Sequence, residues 1–321
     1  MNVIEPIPLE AIEAARARIA DAAIRTPLLR LDVPSDAEIW LKLECLQPIG
    51  SFKIRGSANA MALADTHELA RVVYTGSAGN MAQGVAFNAR RMGIPCRVIV
   101  PDTAPRTKLE AVERLGGVNV PVTFDEWLAV IEDHGHPDES GVFVHPVADP
   151  AVIAGNGTIG LEIIEDLPQA DTIIVPYGGG GLSCGIASAA KALRPGIRVF
   201  ASEVETAAPL VASLAAGRIV PVERTPTFVD GIGSKSVLQE MWPLASSLLN
   251  GSLVVSLDEI CDAIRLLVAT SHIVAEGAGA SAVAAALRHA SPGRCVVAVV
   301  SGGNLDMDVL RRILAGETPG Q

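Results

Sequence analysis

Ile173-Ile174-Val175-Pro176-Tyr177-Gly178-Gly179-Gly180-Gly181-Leu182-Ser183 decides the fold. An apolar β-branched run reads as a buried strand, and the small residues from Ser183 to about 193 read as a helix. Four consecutive glycines between them are costly in chain entropy. A backbone nest around a phosphate at a helix start accounts for that cost, with a plain tight turn as the alternative. The spacing fits neither the GxGxxG dinucleotide fingerprint nor a P-loop, because no Gly-Lys-Ser/Thr follows; Gly233-Ser234-Lys235-Ser236 has the wrong spacing.

Outward from this stretch, strands and helices alternate. Strands are expected at Arg71–Thr75, Cys96–Pro101, Val118–Val122 and Val142–His145, then at Thr172–Pro176, Arg198–Ser202, Leu253–Ser256 and Cys295–Ser301. Helices are expected at 79–92, 105–115, 124–133, 151–166, 183–193, 206–216, 257–271 and 279–290, with an amphipathic helix over 7–23 before them. This alternation predicts an α/β protein with two open, doubly wound parallel-sheet domains. Residues 1–71 and 148–321 form the larger domain and 72–147 the smaller, with a polar loop at Asp133–Gly141 and a tail frayed after Ala315.

Composition agrees. Hydrophobic residues make up 49% of the 321, aromatics only 3%, so the core is built from aliphatic side chains. A formal net charge of −11 argues against a nucleic-acid-binding surface, which needs clustered Lys and Arg. The five cysteines have no CxxC spacing and read as reduced and buried. No apolar run is long enough to span a bilayer and the first residues lack a signal pattern, so a cytoplasmic location is expected.

Three further stretches carry chemistry. Gly50-Ser51-Phe52-Lys53-Ile54-Arg55-Gly56 follows the alternating strand Ile39–Glu44. Ser51 is expected to cap a helix running to about Ala64, putting Lys53 at its start beside Phe52 and Arg55. Desolvation and a neighbouring cation there lower a lysine pKa and free an amine nucleophile; an ordinary solvated lysine is the alternative. Thr75-Gly76-Ser77-Ala78-Gly79-Asn80-Met81 offers bare N–H groups for a carboxylate, or a simple Ser/Asn cap. In Val299-Val300-Ser301-Gly302-Gly303-Asn304 a hydroxyl closes a buried strand, with a turn as the alternative.

Together these motifs resemble the fold-type-II pyridoxal-phosphate enzymes (tryptophan synthase β-like), in particular the threonine/serine dehydratase and serine racemase branch. The likeness runs from Thr26-Pro27-Leu28 to Asn304 and includes Leu41-Lys42-Leu43-Glu44 and Ala154-Gly155-Asn156-Gly157-Thr158-Ile159-Gly160. The resemblance implies that Lys53 is the Schiff-base lysine and the base for the Cα proton. It implies that Phe52 packs on the pyridoxal 5'-phosphate ring and that Asn80 bonds its ring oxygen. Gly178, Gly179, Gly180, Gly181 and Leu182 would hold the phosphate, Ser301 would face the pyridine nitrogen, and Ser77, Gly79 and Met81 would take the substrate carboxylate. It further implies β-elimination on a β-hydroxy amino acid, L-threonine or L-serine, giving a 2-oxo acid and ammonia, in a homodimer.

Ala78 stands where racemases of this branch carry a second serine, which favours dehydratase over serine or aspartate racemase. Met81, Val147, Ala148 and Asn156 also depart from the branch pattern and leave a dehydratase for another β-hydroxy amino acid open. A non-catalytic phosphate or amino-acid binding protein is the reading from a different class. Family members often hold a divalent cation through a glutamate, a carbonyl and an aspartate. Glu203 and Ala207 match but Pro209 replaces the aspartate, so no metal is expected. The chain ends soon after these motifs, so feedback through a regulatory domain is not expected.

Overall fold

The computed structural model describes residues 4–320. The first sheet has six strands in the order β1-β2-β10-β7-β8-β9, and the second has four in the order β5-β4-β3-β6. The strands are β1 (Leu28–Arg30), β2 (Glu38–Leu43), β3 (Val73–Gly76), β4 (Cys96–Pro101), β5 (Val118–Val122), β6 (Val142–Phe143), β7 (Thr172–Pro176), β8 (Arg198–Val204), β9 (Ser252–Val255) and β10 (Cys295–Val300). All pairings are parallel except β1 with β2, where Leu28 lies opposite Lys42.

Strand β10 shows why the sheet forms. Every residue of Cys-Val-Val-Ala-Val-Val is buried, as a central strand covered on both faces requires. Because side chains alternate, Cys295, Val297 and Val299 enter one apolar cluster, and Val296, Ala298 and Val300 enter the other. On the first face the helices Pro150–Asp166 and Gly181–Leu193 approach closely. A Cβ on Gly185 would lie 2.5 Å from the Ile153 carbonyl, so only glycine permits this spacing.

Several expected elements differ. The first helix is Leu9–Arg18, not 7–23; Ile19, Ala22 and Ala23 turn out of it to pack with Ile49 and Ile54. Leu28–Arg30, not among the expected strands, forms an antiparallel edge strand with β2. Three helices, Thr66–Arg71, Trp242–Leu248 and Met307–Leu314, lie outside the expected set. Asp65 and Asp306 cap the first and last of these through their carboxylates. The expected 257–271 helix keeps α geometry over Leu257–Leu266 and widens to a π turn at Leu267–Ser271.

Candidate active site

The Lys53 turn is fastened to the end of β10. Phe52 N–H donates to the Ser301 carbonyl at 3.0 Å, Gly303 N–H donates to the Gly50 carbonyl at 2.8 Å, and Ser51 pairs with Gly302. Gly50 has φ +73°, and a Cβ there would lie 2.6 Å from Asn304 Oδ1. Lys53 opens the Lys53–Leu63 helix, as expected, but Ser51 does not cap it. The N-cap position is Phe52, already in helical conformation, and Ser51 Oγ is buried without a partner.

Lys53 Nζ donates to the Pro146 carbonyl at 2.5 Å and lies 5.1 Å from the Phe52 ring centroid. Burial pushes its pKa down to about 8, while the Glu276 carboxylate pulls it back up. Arg55 is not the neighbouring cation that the sequence suggested. Its guanidinium turns away to Glu44 and Glu162, which neutralise it.

The glycine loop meets the same place. Val147, next to Pro146, lies against it: a Cβ on Gly179 would come within 2.6 Å of Val147 Cγ1. The glycines are therefore required by close packing and, at Gly180 with φ +99°, by backbone conformation. Among the described residues no acceptor receives the N–H groups of Gly178, Gly179, Gly180, Gly181, Leu182 or Ser183. The first intrahelical bond is Cys184 N–H to the Gly180 carbonyl. Successive unpaired donors at the start of a 13-residue helix form a cradle for an anion.

A second uncapped start lies beside Asn304, which also donates to the Ile49 carbonyl before the Lys53 turn. The helix Asn80–Met92 has Gly79 as its N-cap; Gly79 N–H donates to Ser77 Oγ at 3.2 Å. No acceptor among the described residues receives the N–H groups of Ala78, Asn80, Met81 or Ala82. The Met81 side chain packs into the core of the second sheet, so only its backbone is available here. Asn80 Nδ2 donates to both Glu276 oxygens at 2.9 and 3.1 Å, and its Oδ1 accepts from Asn304 Nδ2 at 2.7 Å. Ser301 is buried at the end of β10, one residue from Gly302, which packs on Glu276.

Residues 19–302 match the family described as pyridoxal-phosphate dependent enzyme. The chain belongs to this family. It is 41% identical over 318 residues to an L-threonine ammonia-lyase of Thermotoga maritima, covering 96% of this chain and 78% of that protein. It is 36% identical over 321 residues to a serine racemase of Oryza sativa, covering 94% and 92%. Among solved structures, the T.th. threonine deaminase superposes with a TM-score of 0.86 at 35% identity, covering 94% of this chain and 99% of that one.

The residues present fit pyridoxal phosphate. The six unpaired N–H groups suit a phosphate, and the desolvated Lys53 amine suits an aldehyde. A divalent cation at Glu203 does not fit. That carboxylate already accepts from Leu210 N–H and Val211 N–H, both at 2.8 Å, and from Ser252 Oγ at 2.6 Å. Pro209 opens the helix that Glu203 thus caps, and Glu205 accepts from Leu257 N–H at the start of another. Ala207 adds a turn to Val204. Too few free oxygens remain for Mg²⁺ or Ca²⁺.

His134, His145 and Glu240 have ligand-like spacing. His145 Nδ1, however, accepts from Val147 and Ala148 N–H, so its proton sits on Nε2 and opposes a metal there. Sequence reasoning missed His145, which holds the Pro146–Val147 bend over the loop, and Glu276. The signal for Glu276 is one acid within the small apolar run Val274–Ala280. Among the described residues, no helix is long and apolar enough to cross a membrane.

Proposed function

We propose that this chain is a pyridoxal-phosphate-dependent ammonia-lyase that eliminates the hydroxyl of a β-hydroxy amino acid, L-threonine or L-serine, yielding a 2-oxo acid and ammonia. The observation that carries the reading is the convergence of the desolvated Lys53 amine with the uncapped glycine loop. The relatives support the choice of reaction: an L-threonine ammonia-lyase spans nearly the whole chain.

Each site residue has a task on this reading. The N–H groups of Gly178–Gly181 and Leu182 bind the phosphate, assisted by the helix dipole. Phe52 packs on the ring, Asn80 donates to the ring oxygen, and the neutral Ser301 hydroxyl meets the pyridine nitrogen. The bound cofactor supplies an electron sink for the charge left at Cα. Lys53, whose lowered pKa leaves part of its amine unprotonated near neutral pH, takes the Cα proton. Ser77 N–H and Gly79 N–H are taken by the Ile99 carbonyl and Ser77 Oγ, so the substrate carboxylate falls to the unpaired N–H groups of Ala78, Asn80, Met81 and Ala82, which orient the Cα–H bond toward Lys53. Ala78 offers no hydroxyl for proton return from the opposite face, which favours elimination over racemisation.

The proposal extends to a cytoplasmic homodimer serving amino-acid breakdown, and to a division into 1–71 with 148–321 and 72–147. The two separate sheets support that division. Borohydride reduction of the cofactor-loaded protein, followed by peptide mass mapping, tests the site. The pyridoxyl mass is expected on the peptide containing Lys53, with loss of both label and turnover in Lys53→Ala. Label on another lysine, or turnover retained by the variant, sinks the assignment.

A further inference from the structure

Glu276 occupies the N-cap position of the Gly277–His289 helix, yet its side chain makes no capping bond. A carboxylate there ordinarily takes its own helix's N–H groups and gains from the dipole. This one instead reaches the Asn80 amide, 196 residues away in sequence. Its backbone N–H donates to the Gly302 carbonyl at 3.0 Å, which fixes where the side chain starts. Space for the carboxylate depends on Gly302, where a Cβ would lie 2.5 Å from Glu276 Oε1.

The contacts settle which way the Asn80 amide points. Once ionised, the Glu276 carboxylate only accepts, so Asn80 presents Nδ2 to it, and Asn304 donates to Oδ1 from the other side. The two Glu276 oxygens belong to one carboxylate and lie in one direction from Nδ2, so they share a single hydrogen and the second is left over. The charged and titratable groups around Glu276 are Lys53, Asp230, Lys108 and the Cys45 thiol. Lys108 and Asp230 pair with each other. Lys53 is the buried amine of the site, and burial brings Glu276 up to about 7 while Lys53 falls to about 8.

We propose that Glu276 is a positioning residue of the cofactor site. It locks the Asn80 amide so that the second N–H meets the cofactor's ring oxygen, and its charge governs how readily Lys53 holds a proton. This rests on the reading that Lys53 and Asn80 face pyridoxal phosphate.

The test compares Glu276→Gln with Glu276→Ala. Glutamine keeps an acceptor for Asn80 and removes the charge; alanine removes both. Two readouts are taken on apoprotein: the dissociation constant for added pyridoxal phosphate, and the pH dependence of its covalent capture by Lys53. Glu276→Ala is expected to weaken cofactor binding by about tenfold, while Glu276→Gln restores most of it. Both variants are expected to move the capture inflection to lower pH, because the carboxylate that attracts the Lys53 proton is gone. Unchanged affinity and an unchanged inflection in Glu276→Gln and Glu276→Ala overturn the proposal. The outcome is separable from the reaction assigned above: wild-type protein that captures the cofactor on Lys53 but releases no ammonia refutes the reaction and leaves these readouts intact.

Discussion

Replacing Arg55 with methionine tests what holds Lys53 in place. Arg55 lies two positions after Lys53 on the same helix, and its guanidinium is buried between two acids. Nε and Nη2 donate to Glu44 at 2.9 and 2.8 Å, and Nη1 and Nη2 donate to Glu162 at 2.6 and 2.9 Å. Lys42 Nζ completes the set, reaching Glu162 at 2.5 Å and the Thr26 carbonyl at 2.6 Å. Burial pushes the Glu44 carboxyl up, but the charge and hydrogen bonds of Arg55 hold it below its usual range. Methionine fills much of the volume and leaves two buried carboxylates facing one lysine. Breaking a buried pair in this way costs about 3–5 kcal/mol. With an unfolding entropy of ~2.1 cal/mol/K per residue, that corresponds to a melting temperature lowered by about 4–7 °C. Circular-dichroism melts of wild type, Arg55→Met and Arg55→Lys at neutral pH measure it. Lysine keeps the charge but not the two-sided fork, so it should fall between them. In the double variant Glu44→Gln/Arg55→Met the losses should be less than additive, because the stranded charge is gone. If Arg55→Met melts within about 1 °C of wild type, the network does not carry the turn and the reasoning fails.

Capture of pyridoxal phosphate by the apoprotein should rise with pH through an inflection near the Lys53 value of about 8. At pH 7.5 about a quarter of such an amine is unprotonated, against ~0.1% for a lysine of ordinary pKa. An inflection above about 10 would show a solvated Lys53. Chelation with EDTA, or addition of Mg²⁺ or Ca²⁺, should leave both turnover and melting temperature unchanged, because Glu203 is satisfied by Leu210, Val211 and Ser252. A cation-dependent rise in melting temperature would contradict that account.

What was legible in the sequence was local. The glycine loop, the Lys53 turn and the Asn80 turn each announce themselves through residues adjacent in the chain, and strand–helix alternation brings such turns to strand ends. The strands β4, β5 and β7 have the bounds expected of them; β7 is buried throughout, while β4 and β5 carry Arg97 and Asn119 among their β-branched residues. What was not legible depends on pairing across the fold. Arg55 reads as a neighbour of Lys53 in sequence, but Glu44 and Glu162 capture it in space. Ser51 resembles a cap, yet the bridge to Gly302 puts Phe52 at the helix start. Glu276 could not be tied to Asn80 by any local pattern. Strand β1 has only three residues, and its antiparallel pairing comes from the turn between it and β2, not from a periodic signal.

The central claim meets its most direct test in the release of ammonia and 2-oxo acid by the cofactor-loaded protein. The substrates are both enantiomers of serine and threonine, assayed side by side with larger and acidic β-hydroxy amino acids. Release from L-threonine or L-serine, absent from the D-enantiomers and from Lys53→Ala, is the predicted result. A loaded protein that interconverts serine or aspartate enantiomers, or that turns over none of these compounds, would contradict it.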